Sequence, residues 1–186
     1  MTAPTALVPA ELTGTWTIDP THSRIGFVAR HAMVTKVRGA FAEYTGSAQL
    51  DAENPTASTA EVVIEVASIE TANAQRDEHL RTNDFFDAPA FPQITFRSTG
   101  VEVVGGDTFA VTGDLTIKGT TKPVTVEFEH TGTATDPFGN LRAGFEGKAV
   151  INRKDWGVNW NAALETGGVL VSEKITLEFD ISAVRS

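Results

Sequence analysis

The sequence predicts an all-β domain, an antiparallel meander of about eight strands with one short helix between strands, and three observations predict it. The aliphatic residues favour sheet: 25 Thr, 18 Val and 9 Ile stand against only 9 Leu, and side chains branched at Cβ fit a pleated surface better than a helix. Apolar and polar residues alternate with a period of two. Phe109, Val111, Gly113, Leu115 and Ile117 share one face while Ala110, Thr112, Asp114, Thr116 and Lys118 share the other, the pattern of a strand buried on one side. The period returns through Val124, Val126 and Phe128 and through Ile175, Leu177, Phe179 and Ile181. Finally, turn residues separate the runs, at Gly105-Gly106-Asp107, from Gly119 to Pro123 and from Asp136 to Asn140, and connections this short imply antiparallel neighbours.

In chain order, strands are expected at Thr15 to Asp19, Arg24 to Ala32, Lys36 to Leu50, Thr59 to Ile69, Gln93 to Thr99 and Val101 to Val104, then the alternating runs above, and Arg142 to Asn152. Between them, Asn73 to Thr82 (NAQRDEHLRT) lacks alternation, has good helix formers and begins at an Asn suited to capping, so a single helix is expected to lid or plug one end. Residues 1–12 are expected to be a flexible tail or strap, and 13–186 a single domain. Closing the meander into a barrel removes exposed strand edges most completely. A two-sheet sandwich is the competing architecture.

Composition narrows the function. With 15 Lys+Arg against 24 Asp+Glu the chain of 186 residues carries −9, a charge that repels nucleic acid. Having no cysteine, it offers no thiolate nucleophile and no sulfur-ligated zinc site. No segment is apolar for the roughly 18 residues a membrane helix needs, so stable membrane insertion is not expected. The opening MTAPTALVPAELTG has no positive charge before Arg24, unlike a secretory signal. A cytoplasmic location is expected if the sequence is complete, a periplasmic or secreted one if it is a trimmed form.

Catalytic constellations are sparse. The four histidines, His22, His31, His79 and His130, show no i, i+2 or i, i+4 pair that would preform a metal site. His22 and Ser23 are adjacent and point to opposite faces of an extended chain, and no nucleophile elbow is present. His31 falls on the face of Ile25, Phe27 and Ala29, as either a polar group at the barrel mouth or a core histidine. Asp77 and Arg81 are spaced to pair along the helix. Trp156 and Trp160 would either rim an opening or fill core. No metal site, cofactor or catalytic residue is assigned. An apolar wall remains, and eight strands can enclose one small ligand within it. Its expected lining is Phe27, Phe41, Val62, Ile64, Phe96, Phe128, Leu177 and Phe179.

RDEHLRTNDFFDAPAFPQITFRST from Arg76 to Thr99, followed by GDLTIKGTTKPVTV from Gly113 to Val126, resembles the YceI family. The resemblance extends to DPTHSRIGFVARH (Asp19 to His31), VRGAFAEYTG (Val37 to Gly46), INRKDWG (Ile151 to Gly157) and EKITLEFDI (Glu173 to Ile181), so it spans nearly everything from Gly14 to Val184. It implies a lipocalin-like antiparallel barrel, often a homodimer, that holds a polyisoprenoid or other long-chain lipid in an apolar pore and catalyses nothing. Several members are exported, and this sequence is expected to depart from them, since its opening does not read as a signal peptide. The matching polar positions nearest a mouth are His31, Arg76, His79, Arg81, Arg153 and Asp155. The expected function is non-enzymatic carriage or sequestration of an isoprenoid-type lipid. The alternative is a metal-dependent or stress-related enzyme using histidine and acidic groups near the helix.

Overall fold

The computed structural model describes residues 9–165 and 167–186. Eleven strands form in order: β1 (Gly14–Ile18), β2 (Arg24–His31), β3 (Thr35–Phe41), β4 (Tyr44–Leu50), β5 (Thr59–Glu65), β6 (Ile69–Glu70), β7 (Gln93–Gly105), β8 (Thr108–Ile117), β9 (Thr120–Thr135), β10 (Leu141–Asn152) and β11 (Lys174–Arg185). One α-helix, α1 (Ala74–Arg81), lies between β6 and β7. Every strand pairing is antiparallel. The sheet runs β1-β4-β5-β7-β8-β9-β10-β11, and a β1–β11 pairing joins its ends. This is the expected eight-stranded barrel, and the sandwich alternative falls away.

Eleven strands make eight walls because three courses are bent. β1 and β2 follow one edge of β11, whose Ala183 faces Ile18 of β1 and whose Phe179 faces Ile25 of β2. A 3-10 turn at Pro20–His22 separates them, since Pro20 cannot donate to a ladder and Asp19 caps the turn by accepting from the Thr21 N–H at 3.0 Å. The expected strand from Lys36 to Leu50 is also broken, at Ala42 and Glu43 between Phe41 and Tyr44, and that from Thr59 to Ile69 breaks at the Val66–Ser68 turn. Conversely, the two runs expected at Gln93 to Thr99 and Val101 to Val104 are one strand with a register irregularity between Ser98 and Gly100.

The two ends of the barrel are built differently. Of the expected N-terminal tail or strap, residues 1–8 lie outside the described residues. The rest follows the strap alternative: Leu12 is 1% exposed, and the Trp16 indole donates to its carbonyl at 2.8 Å. With Ala143 and Ala183 they form a small buried cluster at this end. At the other end sit α1, the β2–β3 turn and the long connection from β10 to β11. Asn73 caps α1 by accepting from the Arg76 N–H at 2.9 Å. The expected Asp77–Arg81 pair does not form. Asp77 instead accepts from the backbone N–H and hydroxyl of Thr71, and Arg81 donates to the carbonyls of Ala67 and Ile69. Both side chains tie the helix to the chain around β6, Arg81 to the β5–β6 turn and to Ile69, Asp77 to Thr71 just after β6, where backbone groups left by the bent strand need partners.

Candidate functional site

Within the barrel lies a cavity of about 320 Å³, within the range of roughly 300–1,000 Å³ that holds small ligands. It runs from Leu12 and Trp16 at one end to Leu80, Phe85 and Phe86 at the other. All eight expected wall residues, Phe27, Phe41, Val62, Ile64, Phe96, Phe128, Leu177 and Phe179, line it. The expected list omitted Ile175 and Ile181, which share the face of Leu177 and Phe179, and Phe145 and Ile151 on β10. The signal for these was the same alternation, carried further along each strand.

Three cavity phenylalanines lie over glycines on neighbouring strands, which keeps the space from filling. A Cβ added at Gly39 would stand 2.2 Å from the Phe27 ring, one at Gly113 2.5 Å from Phe96, and one at Gly147 2.6 Å from Phe128. The missing methyl lets each ring fold against the wall, covering backbone that would otherwise be bare. Phe27 meets Phe41 at 5.8 Å and Phe128 meets Phe179 at 5.6 Å between ring centres. The lining is therefore aromatic and aliphatic, with Asp51 and Arg153 its only charged residues among those described.

Arg153 is not a free cation. It is 6% exposed, and its guanidinium donates to four backbone carbonyls: Val158 at 2.6 Å, Ser172 and Trp160 at 2.9 Å, and Val171 at 3.3 Å. Burial lowers its pKa, partly countered by Glu173. The side chain thus holds down the β10–β11 connection, whose Val158 and Val171 face the cavity.

The other expected mouth residues are likewise engaged or lie outside the cavity. Arg76 donates to the hydroxyl and carbonyl of Thr71 at 2.7 and 2.5 Å. The imidazole of His79 pairs with Asp84 at 2.8 Å and packs edge-on against Phe85 and Trp160. Asp155 is exposed. His31 is exposed at the end of β2, which overturns the core alternative, and its backbone bridges Val171. Of the six, only Arg153 touches the cavity; Arg76, Arg81 and His79 instead anchor the helix region. The two tryptophans divide the alternatives between them. Trp156 is core, 3% exposed with its indole donating to the Leu115 carbonyl at 2.9 Å, while Trp160 caps the rim over His79 and Phe85.

Sequence reasoning also passed over His130. It follows Phe128 on the inward face of β9, is 6% exposed, and lies 5.3 Å from the Phe145 ring. His22 pairs with Asp19 at 2.8 Å, and Ser23 donates to the Ser182 carbonyl, so the two do not form a nucleophile and base. Among the described residues, no group of three His, Asp or Glu side chains is placed to hold a metal ion, and no helix is long and apolar enough to cross a membrane.

Comparison with known proteins places this geometry. The family model described as a YceI-like domain matches residues 16–183. The chain is 39% identical over 137 residues to a UPF0312 protein of Azotobacter vinelandii, covering 74% of this chain and 71% of that one. A UPF0312 protein of Yersinia pestis is 42% identical over the same shares. Among solved structures, Burkholderia cenocepacia BcnA superposes with a TM-score of 0.78 at 25% identity, covering 89% of this chain and 98% of BcnA. The Campylobacter jejuni YCEI protein gives 0.72 at 28% identity over 84% and 90%. A domain from Saccharophagus degradans, described as polyisoprenoid binding, gives 0.70 at 15% identity over 92% and 98%, a likeness of fold. A match across nearly the whole barrel, with relatives at this level of identity, shows that the chain belongs to the YceI family.

Proposed function

We propose that this protein binds and carries a long-chain isoprenoid-type lipid in the barrel cavity and catalyses no reaction on it. The observation that carries the reading is the cavity itself, which runs from Leu12 and Trp16 to the helix region and is lined almost wholly by hydrocarbon. Such a space rewards burial of a chain. At about 0.8 kcal/mol per CH₂, a dozen carbons supply about 10 kcal/mol before ordering costs, and micromolar affinity needs about 8. The polyisoprenoid-binding description of the Saccharophagus neighbour supports the same ligand class through the shared fold.

The disposition of the cations sharpens the proposal. Arg76, Arg81 and Arg153 are occupied by backbone carbonyls, so none of these three is free to meet an anionic head group inside the cavity. Recognition then rests on the chain, and affinity depends on its length and width. The test is a fluorescence titration comparing a neutral polyprenol with its pyrophosphate. The neutral lipid is expected to bind within about tenfold of the charged one at physiological salt, with little dependence on ionic strength. A pyrophosphate that binds tightly while the alcohol fails would refute the reading and assign recognition to a head-group site.

A further inference from the structure

The charge of the chain is unevenly distributed. Although the whole carries −9, the stretch from Pro20 to Ala42 holds four cations, Arg24, Arg30, Lys36 and Arg38, and no Asp or Glu. That stretch contains the β2–β3 hairpin, whose turn stands at the helix end of the barrel. At its tip, Met33 is 63% and Val34 75% exposed, and the neighbouring connection adds Val169 at 36%. The tip is a defined shape. The Ala32 N–H donates to the Leu170 carbonyl at 2.7 Å, the Val34 N–H closes the turn on His31 at 3.1 Å, and Met33 lies against Gly168. Arg30 donates to the Val34 carbonyl at 3.4 Å, which sets its guanidinium beside the apolar residues. Arg38 is paired with Glu178, whereas Arg30 and Lys36 have no acidic partner among the described residues.

We propose that this hairpin tip docks the protein on an anionic lipid bilayer, with Met33 and Val34 entering the interface and Arg30 and Lys36 meeting the head groups. Apolar insertion and basic attraction are each marginal alone and reinforce one another at a membrane surface. The match is one of charge: in a chain that is acidic overall and repelled by anionic membranes, this tip sets exposed apolar residues beside cations that have no acidic partner among the described residues. The exposed aromatic at the opposite end makes the contrast. Phe138 is 88% exposed, and the nearby Arg142 is bound by Asp19 and Asp136. The docking end is also where the cavity approaches the surface, since Ala29 on β2 and Val171 beside His31 line it. The proposal deepens the carrier reading and rests on it for its purpose, giving the pore a place to exchange lipid.

The experiment is flotation of the protein with phosphatidylcholine vesicles made with and without phosphatidylglycerol. The native chain is expected to float with the anionic vesicles, not with the neutral ones, and to be released by high salt. Arg30→Gln with Lys36→Gln should lower partitioning about 25-fold, at about fivefold for each cation removed, and Val34→Asp should abolish it. Uptake of a fluorescent prenyl lipid in the absence of vesicles should be unchanged in both variants, which shows that they fold. Flotation by a chain that takes up no lipid would sink the carrier reading and leave the docking surface standing. Equal flotation by native and variant chains, or none by the native chain, would overturn the docking surface. So would a change of oligomeric state in Val34→Asp with flotation intact, which would assign the tip to a second copy of the chain.

Discussion

Replacing Arg153 with Met tests whether the one cation lining the cavity acts on the ligand or on the fold. The substitution keeps an unbranched apolar stem, shorter by the guanidinium head, and removes four charge-assisted bonds to Val158, Trp160, Val171 and Ser172. At about 1.5–3 kcal/mol each their gross value is about 6–12 kcal/mol. Against this stands the cost of burying a guanidinium at 6% exposure, several kcal/mol. Some of the freed carbonyls regain water, while that of the buried Val158 does not, and the net loss is expected at about 3–5 kcal/mol. Urea unfolding measures it, and hydrogen exchange should show the amides of Leu170 and Val171 opening before the barrel. Arg153→Lys should recover less than half, because one ammonium cannot serve four divergent carbonyls. A loss under about 1 kcal/mol, with a selective fall in affinity for a pyrophosphate lipid, would refute the structural role and make Arg153 a head-group ligand.

Further substitutions address wall, rim and acid stability. Phe128→Asp should abolish probe binding by placing a carboxylate in the apolar cavity, at a desolvation cost of several kcal/mol, while Glu127→Lys on the outer face should be nearly silent in the same titration. Gly39→Ala should drive the Phe27 ring inward, since the new Cβ would stand 2.2 Å from it; a lipid titration should show weaker binding, with urea unfolding only mildly changed. Leu80→Ala, trimming a half-buried residue that reaches the cavity from the helix, should cost about 1–2 kcal/mol and speed probe release in stopped flow. Arg142 holds Asp136 down at about 2, and Asp19 further still. Because their folded-state pKa values are depressed, the stability they give is present above about pH 4 and is lost as the pH falls toward 2. Acid unfolding curves should therefore flatten across that interval in Arg142→Met.

What the sequence disclosed depended on whether a signal was local. Alternation along β8, β9 and β11 needs only the pleat, so the inward face there, with the wall residues Phe128, Leu177 and Phe179, could be read from spacing. The bends were less visible. Pro20 announces a break, but the interruption between Phe41 and Tyr44 carries no proline and follows from the need of β3 and β4 to pair with β2 and β1 in turn. The polar residues misled for a related reason. Asp77 and Arg81 have ideal helical spacing, yet the Thr71 N–H after β6 and the Ala67 carbonyl before it outcompete an exposed ion pair of small value. Arg153 read as a mouth cation because arginine is seldom buried. Its role depends on carbonyls up to 19 residues away, gathered only when the β10–β11 connection folds over the barrel. That the cavity stays open rests on phenylalanines meeting glycines across strands, which requires the register and not the composition.

The central claim is that the cavity holds a lipid chain, and the most direct measurement is native mass spectrometry of the protein purified without detergent, joined to organic extraction of the same sample. The account predicts an adduct of about one lipid per barrel, released by solvent and identified as an isoprenoid-type chain, and loss of that adduct in Phe128→Asp. Repeated absence of any adduct, together with failure of the emptied protein to take up an added polyprenol, would contradict it.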